Sequence, residues 1–170
     1  MKSIKSKSEI QNTIKSHIYD GAALTKFLFW LKKNYKKKTI NEISAQDKLL
    51  RLRKENKKFK YLSFPTISGS GPNGAIIHYK VSKESNRKLK KGDLYLVDSG
   101  GQYNFGTTDV TRTISLDNNN KKIKDIFTRV LKGHIAVATY KLKKNTTGAE
   151  IDNAARRPLR EINLDYAHGT

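Results

Sequence analysis

The 170-residue chain contains no cysteine. That absence excludes disulfides and thiolate metal sites, and it suits a reducing cytoplasm. Proline is scarce too, with three residues, and neither a low-complexity linker nor an internal repeat interrupts the chain. No apolar run approaches the ~20 residues that a membrane span requires. The basic start, MKSIKSKSEIQNTIKSH, lacks the apolar segment behind it that a secretory signal needs. A cytoplasmic chain without a membrane partner is the expectation.

Acidic residues are the remaining scarcity: 15 Asp+Glu stand against 35 Lys+Arg, a net charge of +20. Such an excess raises the question of nucleic acid. The lysines, however, are scattered over Lys36 to Lys38, Lys57 and Lys58, Lys90 and Lys91, Lys121 and Lys122, and Lys143 and Lys144. They fall at the ends of expected elements, and no basic stripe interleaves with aromatics on which bases could stack. A solvated, lysine-biased surface is the reading, with a basic nucleic-acid binder as the lesser alternative.

Hydrophobic residues make up 36% of the chain, enough for one domain with a real core. Ile10, Ile14, Ile18, Leu24, Leu28 and Leu31 recur at near-helical spacing and predict a helix over 9–33, capped by Ser8. A second helix is expected from Ser44, with Asp47 completing a capping box, fading near Asn56. Phe64 to Ser68 reads as a strand, GSGPNG (69–74) as a turn, and AIIHYKV (75–81) as a second strand. Leu94 to Ser99 and Thr107 to Leu116 read as two more strands, with Asn118 to Asn120 closing the sheet. Helical spacing returns over 121–144. Thr147 with Glu150 caps a last helix through Ile162, which Pro158 should kink or interrupt. One α+β domain over 1–170 is the predicted organisation.

The stretch LYLVDSGGQYNFGTTDVTRTISL carries the chemistry. Side chains alternate along a strand, so Leu94, Leu96 and Asp98 share a face. A hairpin centred on Tyr103 and Asn104 sets Asp98 opposite Asp109, with Cβ atoms roughly 4.5–5.5 Å apart. Two facing carboxylates on an apolar face repel each other and lose hydration. A shared proton, a nearby arginine such as Arg112, or a divalent cation could each resolve the conflict. Alternatively, both are exposed residues flanking a turn. His78, in IIHYK, reads as a packed strand residue before it reads as a ligand, and His17 and His134 as structural. His168, in AHGT, precedes a glycine that permits close approach to something.

DSGGQYNFGTTDVTRT resembles the signature of the metal-dependent aminopeptidase P family, the Xaa-Pro aminopeptidases. The likeness extends through SHIYDGAALTKFLFWL, FPTISGSGPNGAIIHYKV, VLKGHIAVA and LDYAHGT, nearly the whole chain. It implies the pita-bread α+β fold, here its first half and the start of the second, around two divalent ions, often manganese. The family's ions are held by two aspartates, one histidine and two glutamates. Asp98 matches the first aspartate and Asp109 the bridging one. His78 matches a histidine that lines the substrate site and stabilises the reacting carbonyl, and His168 the first histidine of the motif HGTGHxxG.

That motif's metal histidine would fall at position 172, beyond Thr170, and the glutamates further on. The resemblance therefore implies a metal-dependent peptidase fragment with two of five ligands, acting on peptides with proline in second position only if another chain supplied the rest. A non-catalytic remnant, or a subunit that binds a complementary fragment, is the alternative. The uncovered face bearing Leu94 and Leu96 predicts low stability or aggregation. Against DNA or RNA, the charge pattern predicts weak binding at ~0.15 M salt, where the Debye length is ~8 Å; tight, steeply salt-dependent retention in a filter-binding titration would contradict it.

Overall fold

The computed structural model describes residues 4–37, 39–117 and 120–169. Lys38, Asn118, Asn119 and Thr170 lie outside them, so the expectations placed on those residues are not taken further. The chain forms two compact units, Met1–Asn118 and Asn119–Thr170.

The first unit opens with α1 (Lys7–Asn34) and α2 (Glu42–Lys54). The cap of α1 is Ser6 rather than Ser8, because Ser6 and Glu9 have the S-x-x-E spacing. Glu9 N–H donates to Ser6 Oγ at 3.3 Å, and Ser6 N–H to Glu9 Oε2 at 2.7 Å. Likewise α2 is capped by Asn41, and Ser44 is the reciprocal partner rather than the cap: Ser44 N–H donates to Asn41 Oδ1 and Asn41 N–H to Ser44 Oγ. The helix therefore starts at Glu42.

Six short strands follow: β1 (Phe59–Leu62), β2 (Ile67–Ser70), β3 (Leu94–Ser99), β4 (Gly101–Tyr103), β5 (Gly106–Thr107) and β6 (Val110–Ser115). One antiparallel sheet has the order β2-β3-β6 and the other β1-β4-β5. The strand expected over 75–81 is absent. A 3-10 helix, Gly71–Ala75, and an irregular excursion stand in its place. The strand expected over 64–68 is displaced to Ile67–Ser70, and the one over 107–116 is divided between β5 and β6.

The two sheets share one bent hairpin. Asp98 pairs with Thr111, Ser99 with Val110, Gln102 with Thr107 and Tyr103 with Gly106, so the turn is centred on Asn104 and Phe105. The bend falls at Gly100. A Cβ there would lie 1.9 Å from the Thr108 carbonyl oxygen and 2.3 Å from Ser63 Oγ, so only glycine fits. Ser63 closes the bend, donating its hydroxyl to Thr108 O at 2.8 Å and its N–H to Gly100 O.

Strand β3 alternates between buried and half-buried residues. Tyr95 and Val97 are fully buried with Phe27, Leu31, Ala45 and Leu49 in the core between the helices and the sheet. Val97, Phe27, Leu31 and Leu49 each contribute roughly 1.5–3 kcal/mol by leaving water. Leu94, Leu96 and Asp98 point to the other face.

The first half of α1 departs from its expected stripe, leaving Ile10, Ile14 and Ile18 49%, 56% and 65% exposed. Its buried side carries Ser16 and Asp20 instead, because the β4–β5 hairpin packs there. A Cβ on Gly106 would come within 2.4 Å of Ser16 Oγ. Asp20 accepts from Arg53 Nε (2.7 Å), Arg53 Nη2 (2.9 Å) and the Tyr103 hydroxyl (2.8 Å), and Arg53 Nη2 also donates to Ser99 Oγ at 3.0 Å. Asp20 and Arg53 are both fully buried, while Arg53 Nη1 has no partner. Burial, and then the Asp20 carboxylate, push the Tyr103 phenol upward.

In the second unit, α3 (Lys121–Ala138) and α4 (Gly148–Arg160) pack together. They approach so closely at Gly133 that a Cβ would lie 2.2 Å from Ala155 O. The Thr147–Glu150 capping box stands as expected. Helix α3 ends at Ala138, short of residue 144. Pro158 does not interrupt α4, which continues to Arg160. Near the helix end the Pro158 carbonyl accepts from Arg129 Nη1 at 2.9 Å.

Because the Asp20–Arg53 pair is buried on both sides, removing one partner strands the other charge. Asp20→Ala is expected to cost about 3–5 kcal/mol in denaturant unfolding. Adding Arg53→Met to it should recover part of that loss.

Candidate metal centre

Asp98 lies near the end of β3, where Ile67 and Thr111 flank it on the neighbouring strands. It is half-buried, and its Oδ1 is buried without any hydrogen-bond partner. Asp109 immediately precedes β6, in phase with Thr111 and Thr113, and is exposed. The expected face-to-face pairing of Asp98 with Asp109 is not found. The turn lies one residue further on, so Thr111 faces Asp98 and Asp109 stands one diagonal step away, a relation that places residues roughly 7–8 Å apart. Both aspartates remain on one face of the hairpin by strand alternation.

Arginine does not resolve their charge. Arg112 pairs across from Val97, on the opposite face, and its Nη1 donates to Thr111 O at 2.7 Å. What remains is a buried, unpartnered carboxylate oxygen beside a second carboxylate, an all-oxygen donor set that suits a hard divalent cation. Among the described residues, no cluster of three or more His, Cys, Asp or Glu side chains is assembled to complete such a site.

The two histidines sit differently. His78 is not in a strand; it ends a turn, is exposed, and has φ +51°. His168 belongs to the second unit, where its carbonyl accepts from Arg156 Nη2 at 3.0 Å and its ring lies 5.7 Å from that of Tyr166. Arg156 also holds Asp165 (2.9 Å), which Arg160 grips at 2.9 Å from the other side. Of the other two, His17 contacts the Thr13 carbonyl through Nδ1, and His134 is exposed on α3.

Three buried charged side chains of the first unit, Asp20, Arg53 and Glu42, are missing from the sequence-based reading. Asp20 and Arg53 did carry a signal: Asp20 falls in phase with Leu24, Phe27 and Leu31, and Arg53 adjoins the Ala45–Leu49–Leu52 stripe, so each places a charge at a core position. Glu42, fully buried at the first position of α2, is in phase with Ala45, Leu49 and Leu52 too, but lies ahead of the helix start expected at Ser44.

The structure has the pita-bread α+β fold, of which this chain carries the first part. The pattern of metallopeptidase family M24 matches residues 11–170, and the chain belongs to that family. A probable Xaa-Pro aminopeptidase P of Laccaria bicolor is 50% identical over 171 residues, covering 100% of this chain and 27% of the fungal protein. The crystal structure of an X-prolyl aminopeptidase from Caenorhabditis elegans, described as a cytosolic enzyme with a di-nuclear active site, superposes with a TM-score of 0.90 at 41% identity. That match covers 98% of this chain and 27% of the nematode one. Prolidase from Pyrococcus furiosus has a TM-score of 0.76 at 28% identity, over 94% of this chain and 44% of its own. The chain thus spans about a quarter of the length of the curated relatives it matches. No helix among the described residues is long and apolar enough to cross a membrane.

The strap that carries His168 depends on the state of Asp165, whose carboxyl Arg156 and then Arg160 hold down to about 2 from 3.8. A depressed carboxyl stabilises the fold above its unfolded value and loses that contribution as pH falls through the folded one. The Tyr166 and His168 ring resonances should therefore shift between pH 3.8 and about 2. In Asp165→Asn, NMR titration should show that transition absent.

Proposed function

We propose that this chain contributes part of the catalytic centre of a dinuclear-metal Xaa-Pro aminopeptidase, a cytoplasmic enzyme that removes the residue preceding a proline. The observation that carries the reading is the buried, unpartnered Asp98 Oδ1 on the same hairpin face as Asp109. These two aspartates would hold divalent ions, manganese by the family resemblance, which when bound supply water activation and charge stabilisation.

The rest of the work falls to this chain's own residues. The His78 imidazole, presented outward on its turn, would donate a hydrogen bond to the carbonyl oxygen as negative charge develops there. His168 would serve substrate and proton traffic. Both units would belong to one catalytic domain, and the peptide substrate would carry proline in second position.

Two carboxylates do not make a complete ligand set, since Asp98 and Asp109 are not joined by a third ligating side chain among the described residues. On this reading these 170 residues alone would not turn over substrate, and ligands from elsewhere, on the same or another polypeptide, would complete the centre.

The test uses the purified chain, an Xaa-Pro peptide and added Mn²⁺. No turnover is expected; turnover that disappears in Asp98→Ala would overturn the claim of inactivity. Free Mn²⁺ measured by EPR should fall slightly with the chain present and not at all with Asp98→Ala. Equal uptake by both would remove the role given to Asp98.

A further inference from the structure

Glu42 is fully buried, and its carboxylate receives four different neighbours. Ser70 N–H donates to Oε1 at 2.7 Å and Asn73 Nδ2 to Oε1 at 3.0 Å. Arg87 N–H donates to Oε2 at 2.9 Å, and the Tyr79 hydroxyl lies 3.0 Å from the same oxygen. The Arg87 guanidinium is engaged elsewhere, with Nε donating to Ser70 O. Neutral donors thus hold a buried carboxylate at the first position of α2, where the helix dipole also favours negative charge.

The donors come from both ends and the middle of a single irregular excursion, residues 70–87. Gly69 and Gly71 start it. A Cβ on Gly69 would meet the backbone of Asn73 and Gly74 at 2.8–2.9 Å, and Gly71 has φ +57°. Within the excursion Ile76 and Ile77 are exposed, and His78 is exposed with φ +51°. Tyr79, the next residue, is buried and tied to Glu42. A left-handed backbone at a residue with a Cβ persists where the surroundings over-determine it, and histidine tolerates it better than most. Here the Tyr79 N–H closes the turn onto Ile76 O at 3.2 Å, and the Tyr79 hydroxyl is held between Glu42, Asn73 and Ser85.

We propose that Glu42 and Tyr79 are positioning residues for His78: the hydroxyl–carboxylate clasp fixes the left-handed turn that turns the imidazole outward. The inference rests on the reading of His78 as a substrate-facing group. It extends that reading to a residue on another element, α2, and it makes the excursion a rigid presenting turn rather than a loose loop.

The deciding measurement is backbone NMR of the labelled chain, with Cα shifts and amide couplings reporting the conformation at residue 78. The wild-type chain should show the left-handed signature at His78. In Tyr79→Phe, which keeps the ring and removes the hydroxyl, at least half of that population should be lost, while the Tyr95 and Val97 amides in β3 stay in place. His78→Asn in the Tyr79→Phe background should restore the left-handed state, because asparagine favours it. Glu42→Gln should weaken the signature in the same way; should that variant not fold, the Tyr79→Phe pair decides alone. A signature at His78 unchanged by Tyr79→Phe, or lost only together with the β3 signals, would overturn the proposal. The measurement needs neither metal nor turnover, so absence of peptidase activity leaves it intact, and failure of the clasp leaves the role of the aspartates intact.

Discussion

Strand β3 answers two opposite demands with alternate residues. Tyr95, Val97 and Ser99 face the helices and are fully buried, and they anchor the core against α1 and α2. Leu94, Leu96 and Asp98 face the other way, the side to which the proposed metal site belongs. Two-residue alternation is the constraint from which the rest follows. A slip of one residue would bury Asp98 among the helices and expose the core, so register and function are fixed together. The helix side supplies the stability against which the other face can keep a carboxylate oxygen without a partner.

Polar anchors, rather than apolar packing alone, hold the two irregular parts of the first unit. Asp20 and Arg53 tie α1 and α2 to Tyr103 in the bent hairpin and to Ser99 beside Asp98. Glu42 ties α2 to both ends of the 70–87 excursion. A buried charge with satisfied donors is costly to form and costlier to break. Such anchors therefore give short strands and turns a definite geometry that burial of small side chains would not enforce.

Much of this was legible in the sequence, for reasons that differ by element. The long helices announce themselves through periodicity, and Thr147 with Glu150 marks a helix start by local chemistry. Asp98 and Asp109 were visible as carboxylates in strand-like surroundings. Their spacing sets them face to face, whereas the turn lies one residue further on and shifts the pairing by two. AIIHYKV has the β-branched, alternating look of a strand, yet Glu42 captures Tyr79 from a position 37 residues away and bends the segment into a turn. Asp20 and Tyr103 are 83 residues apart. Local pattern cannot report such contacts, and these are the ones that override it.

Gly100 has a consequence of another kind. With the Thr108 carbonyl and the Ser63 hydroxyl already occupying the space of a methyl group, no codon change away from glycine is tolerated without moving backbone. The corner between β3 and β4 is thus set by close contact rather than by conformational looseness.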